Sequence, residues 1–144
     1  MQMKVDKLTV KILEDRTQMG KTAAADICAT LKTLLDQKPE VNMIFAAAPS
    51  QNEVLAALVA DTDIPWNRVN AFHMDEYVGL SPDAPQGFGN FLKEHIFGLV
   101  PFKSIHYIDI YAPDAEAECA RYAALLQQYP TDIVVMDFYK IVKW

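Results

Sequence analysis

The sequence predicts an α/β domain, a parallel sheet with helices on both faces. Three observations carry this. Short apolar runs alternate with stretches whose apolar residues recur at three- and four-residue spacing, the alternation that builds βαβ units. Each intervening stretch is long enough for a right-handed crossover. The 144 residues suffice for one domain with a proper core, and no linker or repeat divides them.

Leu8–Leu13 (L-T-V-K-I-L) reads as the first strand, being β-branched and partly alternating. Thr17 can cap the helix that follows. Its apolar face is Met19, Ala23, Ile27, Leu31 and Leu34, and it ends near Gln37, before Pro39. Val41–Ala46 is almost wholly apolar, as strands buried on both faces are. A helix from about Gln51 to Ala60 follows, and Arg68–Met74 is the third strand. Residues 79–90 hold Gly79, Gly87, Gly89, Pro82 and Pro85 and read as a loop. A helix over about Asn90–Leu99 leads to a strand at Ser104–Ile110. Pro113 suits the first position of the next helix, whose inner face is Cys119, Tyr122 and Leu126. Ile133–Met136 is the fifth strand.

Composition removes several functional classes. Hydrophobic residues at 51% and charged residues at 22% are globular values and exclude a disordered chain. The net charge is −6, with −1 in residues 1–72 and −5 in residues 73–144. There is no basic run, so nucleic acid and anionic membrane surfaces are not expected partners. The longest apolar runs, Met43–Ala48 and Leu55–Ala60, fall far short of the roughly 18 residues of a membrane span. The N-terminus lacks the apolar core of a secretory signal, so the expected location is the cytoplasm. Cys28 and Cys119 read as buried core thiols.

Ligands of open α/β sheets bind beyond the carboxyl ends of the strands. Two such ends stand out. The first is Ala46-Ala47-Ala48-Pro49-Ser50-Gln51, where backbone amides at a helix start and the Ser50 hydroxyl could hold an anion. The plainer reading makes Ser50 a helix cap with Glu53 as its capping-box partner. The second is His73-Met74-Asp75-Glu76-Tyr77, where adjacent carboxylates before a glycine-containing loop could supply a general base, or could be a solvated acidic turn. His73, His95 and His106 have no partner at metal-ligand spacing, and no metal is expected. Phe88, Phe91 and Phe97 read as core or interface residues.

The stretch Phe72-His73-Met74-Asp75-Glu76-Tyr77-Val78-Gly79-Leu80 resembles the signature of the glucosamine-6-phosphate isomerase/deaminase family, Phe-x-Met-Asp-Glu-Tyr-x-Gly-Leu at a strand end. Thr17–Ala25 is similar to that family's first helix, and residues 46–58 to its phosphate loop and following helix. The resemblance runs from about Leu8 to Met136. It implies a three-layer, Rossmann-like α/β fold and conversion of an aldose amine phosphate to a ketose phosphate and ammonia, without redox cofactor or catalytic metal. It assigns the proton-abstracting base to Asp75, with Glu76 and Tyr77 in support, and the substrate phosphate to Ala47, Ala48, Ser50 and Gln51. Ala48 and Pro49 stand where the family has glycines, and Pro49 removes an amide donor. A related lactonase acting on a phosphosugar lactone is a weaker alternative, since the Met-Asp-Glu-Tyr run favours the isomerase branch.

After the strand at Ile133 the family continues Gly-x-Gly-x-Asn-Gly-His, the segment of its ring-opening histidine. Here Asp137-Phe138-Tyr139-Lys140 takes its place. The expectation is therefore a domain incomplete at its C-terminus, truncated after about the fifth strand. Two functions follow from it: the isomerase/deaminase itself, or a sugar-phosphate-binding or remnant domain without catalysis. An uncovered fifth strand further predicts a homo-oligomer with Ile141–Trp144 near a contact.

Overall fold

A computed structural model describes residues 1–137. Its centre is a four-stranded parallel sheet made of β3 (Val41–Phe45), β4 (Val69–His73), β5 (Ser104–His106) and β6 (Ile133–Val135), in the order β5-β4-β3-β6. The helices are α1 (Arg16–Gln37), α2 (Asn52–Ala60), α3 (Phe88–Leu92) and α4 (Ala115–Gln128). Phe45 and His73 are paired across β3 and β4, as are Phe45 and Val135 across β3 and β6, so all carboxyl ends open on one edge.

Alternation along the strands divides the core. Val41, Met43 and Phe45 pack with Val69 and Ala71 against α1, α2 and the residues Leu92, Ile96 and Phe97. Phe72, on the opposite face, is covered by the rings of His106, Tyr122 and Tyr129, the last two carried by or flanking α4. The central strands are fully apolar on the first face because both of their sides are covered.

The first expected strand does not join this sheet. Leu8–Lys11 forms β2 of an antiparallel hairpin with β1 (Gln2–Val5), and Asp6 makes the turn at φ 55°. The reason is visible in the alternation: Leu8-Thr9-Val10-Lys11 has polar side chains that a doubly buried strand could not place. Lys11 instead reaches Asp26 of α1 at 2.6 Å.

Several boundaries also move. The α1 cap is Asp15, whose carboxylate accepts from Gln18 N at 2.8 Å, rather than Thr17. Its fully buried ridge is Gly20, Ala24, Cys28, Leu31 and Leu35, one position round from the expected face. Helix α3 starts at Phe88 and continues as a wider turn over Lys93–Phe97. Strand β5 ends at His106 because Ile108 N donates to the His73 ring instead of to a strand. Helix α4 is capped by Asp114, with Pro113 just outside. Cys119 is exposed, since α4 turns Glu118 and Tyr122 inward. Cys28 is buried, and burial, aided by Asp61, pushes its thiol up to about 11.

Candidate functional site

The strand order places a reversal between β3 and β6. From β3 the chain proceeds outward through β4 and β5, then returns to the other side of β3. Ligand crevices of open α/β sheets lie beyond the carboxyl ends at such a reversal. The residues there are those of the β3–α2 loop and those following β6.

The loop leaves β3 with Ala46 N donating to Val135 O at 2.8 Å, then makes a tight turn over Pro49–Gln51. Ser50 Oγ donates to Asp137 Oδ2 at 2.8 Å, and Gln51 Nε2 reaches Asp137 Oδ1 at 3.4 Å. Gln51 is only 3% exposed, and its Oε1 has no partner among the described residues. The expected pairing of Ser50 with Glu53 does not form. Arg16 takes Glu53 at 3.0 Å and also donates to Pro49 O at 2.8 Å. That guanidinium holds the Glu53 carboxyl below its usual range. The start of α2 therefore has no side-chain cap.

The neighbouring strand end carries Asp75. His73 closes β4 and is buried at 1% exposure. Ile108 N donates to its Nε2 at 2.9 Å, so the ring proton lies on Nδ1, which donates to Asp75 O at 3.0 Å. Burial lowers the pKa of His73, and the neutral ring is the form this pairing needs. Tyr122 of α4 grips the same residue from behind. Its hydroxyl accepts from His73 N at 3.0 Å and donates to His73 O at 2.7 Å. The backbone leading to Asp75 is thus fixed on three sides, while the Asp75 side chain is exposed.

Glu76 points back toward α3. One oxygen accepts from Phe88 N and the other from Gly89 N, each at 2.8 Å, and Tyr77 N adds a third donor at 3.0 Å. Its carboxylate caps a helix across the glycine-containing loop. Gly89 allows the approach, since a Cβ there would lie 3.2 Å from both Glu76 Oε2 and the Tyr107 ring. Tyr77 stacks against Phe88 with ring centres 4.7 Å apart.

Asp75 and Ser50 stand at adjacent ends of the sheet but line different cavities. Asp75 and Glu76 border a mostly apolar one of about 400 Å³, with Met74, Ile108, Cys119 and Leu126. Ser50 and Gln51 border one of about 470 Å³, with Val54, Val135 and Asp137. Ala47 and Ala48 lie in the loop that leads to Ser50 but line neither cavity, and Ala48 is buried. A third opening of about 480 Å³ lies between the hairpin and α1, away from the strand ends. Arg16, Asp137 and Tyr122 had no motif to mark them. Their partners lie 33 to 87 residues away in sequence.

A profile of the family described as glucosamine-6-phosphate isomerases/6-phosphogluconolactonase matches residues 14–139. The chain belongs to this family. Glucosamine-6-phosphate deaminase of Listeria innocua is 37% identical over 97 residues, 67% of this chain and 42% of that one. The Streptococcus sanguinis enzyme of the same name is 33% identical over 124 residues, 86% and 50% respectively. The chain thus spans about half the length of the curated relatives it matches. Among solved structures, a monomeric glucosamine-6-phosphate deaminase superposes with TM-score 0.71 at 21% identity, covering 83% of this chain and 50% of that one. The 6-phosphogluconolactonase of Thermotoga maritima superposes with TM-score 0.74 at 23% identity, covering 86% and 56%. These structures share the Rossmann-like fold. Among the described residues, no helix is long and apolar enough to cross a membrane.

Proposed function

We propose that this member of the family acts on an amino-sugar phosphate, with Asp75 as the base that takes the proton from C2 of the open-chain sugar. The observation that carries the reading is the fixed backbone at Asp75. His73 Nδ1 and the Tyr122 hydroxyl hold the chain on either side of an exposed carboxylate, at the carboxyl edge of the sheet. A positioned carboxylate with access to substrate is what proton abstraction requires. The proton returns at C1, and water replaces the nitrogen at C2, so that hexosamine phosphate plus water gives ketose phosphate plus ammonia. Glu76 supports Asp75 by closing the loop onto α3. Ala47, Ala48, Ser50 and Gln51 form the phosphate side.

Two further parts of this reading concern the setting. The protein works in the cytoplasm, where sugar phosphates and free thiols are kept, and it self-associates through β6, which among the described residues pairs only with β3. Ile141–Trp144, the segment expected near that contact, lies outside the described residues.

The test is ammonia release and ketose-phosphate formation from glucosamine-6-phosphate and galactosamine-6-phosphate, with Asp75→Asn as the control. Turnover that falls by about 100-fold or more in the variant is the expected result, given the usual contribution of a general base. Turnover untouched by Asp75→Asn would remove Asp75 from the mechanism. A second reading, sugar-phosphate binding without turnover, is favoured by one observation: Asp137-Phe138-Tyr139-Lys140 stands where the resemblance places the ring-opening histidine segment. Binding of the sugar phosphate by a well-folded protein that releases no ammonia would select it.

A further inference from the structure

We propose that Asp137 is a specificity-determining residue of the β3–α2 loop, its carboxylate occupying the groups that would otherwise serve a phosphate ester, so that a phosphorylated ligand enters only by displacing it. The proposal rests on the reading of this loop as the phosphate side of the site, and goes beyond it in naming what controls entry.

Four observations meet here. Both oxygens of the Asp137 carboxylate are used, one by the Ser50 hydroxyl and one by the Gln51 amide. Gln51 is almost wholly buried and lines the cavity, and its Oε1 is an acceptor unpartnered among the described residues, so the side chain offers an anion only the Nε2 donor that Asp137 already takes. The start of α2 carries no side-chain cap and favours a negative group. Finally, the guanidinium that reaches the loop, Arg16, is already engaged by Glu53 and Pro49 O. An incoming dianion would therefore meet Asp137 as a like charge without a free cation from Arg16 to offset it. A hydroxyl or ammonium group meets no such opposition.

The position of Asp137 makes it an effective gate. It follows β6 directly, across the reversal of strand order from the loop it closes. Its hold on Ser50 spans 87 residues of sequence and joins the two sides of the crevice.

The experiment measures binding of glucosamine-6-phosphate, inorganic phosphate and glucosamine to the full chain by calorimetry, with the amide spectrum as a check of folding. Asp137→Ala, and Asp137→Asn as the milder change, are expected to tighten both phosphate-bearing ligands by roughly tenfold or more, the effect of removing one like charge from an anion site. Glucosamine affinity stays as it was, and Ser50→Ala in the Asp137→Ala background abolishes the gain. Equal, measurable binding of glucosamine-6-phosphate by wild type and both variants would overturn the gate while leaving the sugar-phosphate reading intact. No binding of either phosphate-bearing ligand by any form would overturn both.

Discussion

Asp75 is held by its neighbours, above all by His73. Its ring bridges Asp75 O and Ile108 N, two backbone groups with no other part in the sheet. His73→Leu leaves both without that partner in a half-buried place, at a cost of about 1–3 kcal/mol in a urea melt. The pH dependence follows from the direction of the His73 shift. Burial depresses the folded pKa below the ordinary value of about 6.5. The unfolded chain therefore takes up the proton first as pH falls. The stability contributed by the neutral ring is complete above about 6.5 and is lost as pH falls through the lower folded value. His106 moves in the same direction, through burial and then Arg121. The expected measurement is a urea midpoint that is flat from about pH 8 to 7 and declines below 6.5, with a shallower decline in His73→Leu. A midpoint that rises on acidification would contradict the assignment. Glu76 offers a separate test. Glu76→Gln replaces one acceptor oxygen by an N–H donor facing a backbone N–H, and should cost about 1–2 kcal/mol while weakening the order of residues 77–88 in hydrogen exchange. Unchanged exchange there would show that the cap does not hold the loop.

Helices α1 and α2 meet at Gly20. A Cβ at that position would stand 2.5 Å from Glu53 Cβ and 2.8 Å from the Glu53 backbone carbon. Gly20→Ala tests which of two opposed effects wins. Alanine gains up to about 1 kcal/mol of helix propensity, but the overlap is with backbone that cannot swing away. Overpacking of this kind costs about 1–3 kcal/mol, so a net loss is expected, with α2 and the Ser50 loop displaced together. A gain in melting temperature would show that the crossing is looser than described. The same pair of helices illustrates what the sequence made legible. Strands β3 (V-N-M-I-F) and β4 (V-N-A-F-H) are mostly apolar runs and could be located to within a residue. Strand β2 belongs to the separate hairpin, to which its polar Thr9 and Lys11 point, although the β-branched run by itself does not reveal its partner. The Ser50–Glu53 capping box failed for a similar reason. Its local pattern was sound, but Arg16 and Asp137, distant in sequence, compete for the same side chains. The Met-Asp-Glu-Tyr motif follows the carboxyl end of β4, as its pattern indicates, while the different surroundings of an exposed Asp75 and a helix-capping Glu76 needed the fold.

Across the molecule, charge and topology converge on one edge of the sheet. The acidic second half places Asp75, Glu76, Asp109 and Asp137 at or beyond strand ends, and Arg16 comes to the β3–α2 loop from the other half. Among the described residues β6 pairs only with β3, and Val134 and Met136 are 45% and 49% exposed. The proposal that this chain self-associates is tested here. Sedimentation should show a concentration-dependent rise in mass that Val134→Lys suppresses, whereas a monomer at all concentrations would contradict it. In the proposed function the β3 and β4 ends act as one sugar-phosphate site, although they line separate cavities. The most direct test follows backbone amide shifts of the ¹⁵N-labelled chain during a titration with glucosamine-6-phosphate. Residues 47–51 and 74–77 are expected to shift together, with one affinity. Shifts confined to one of these segments, or centred on the cavity between the hairpin and α1, would contradict it.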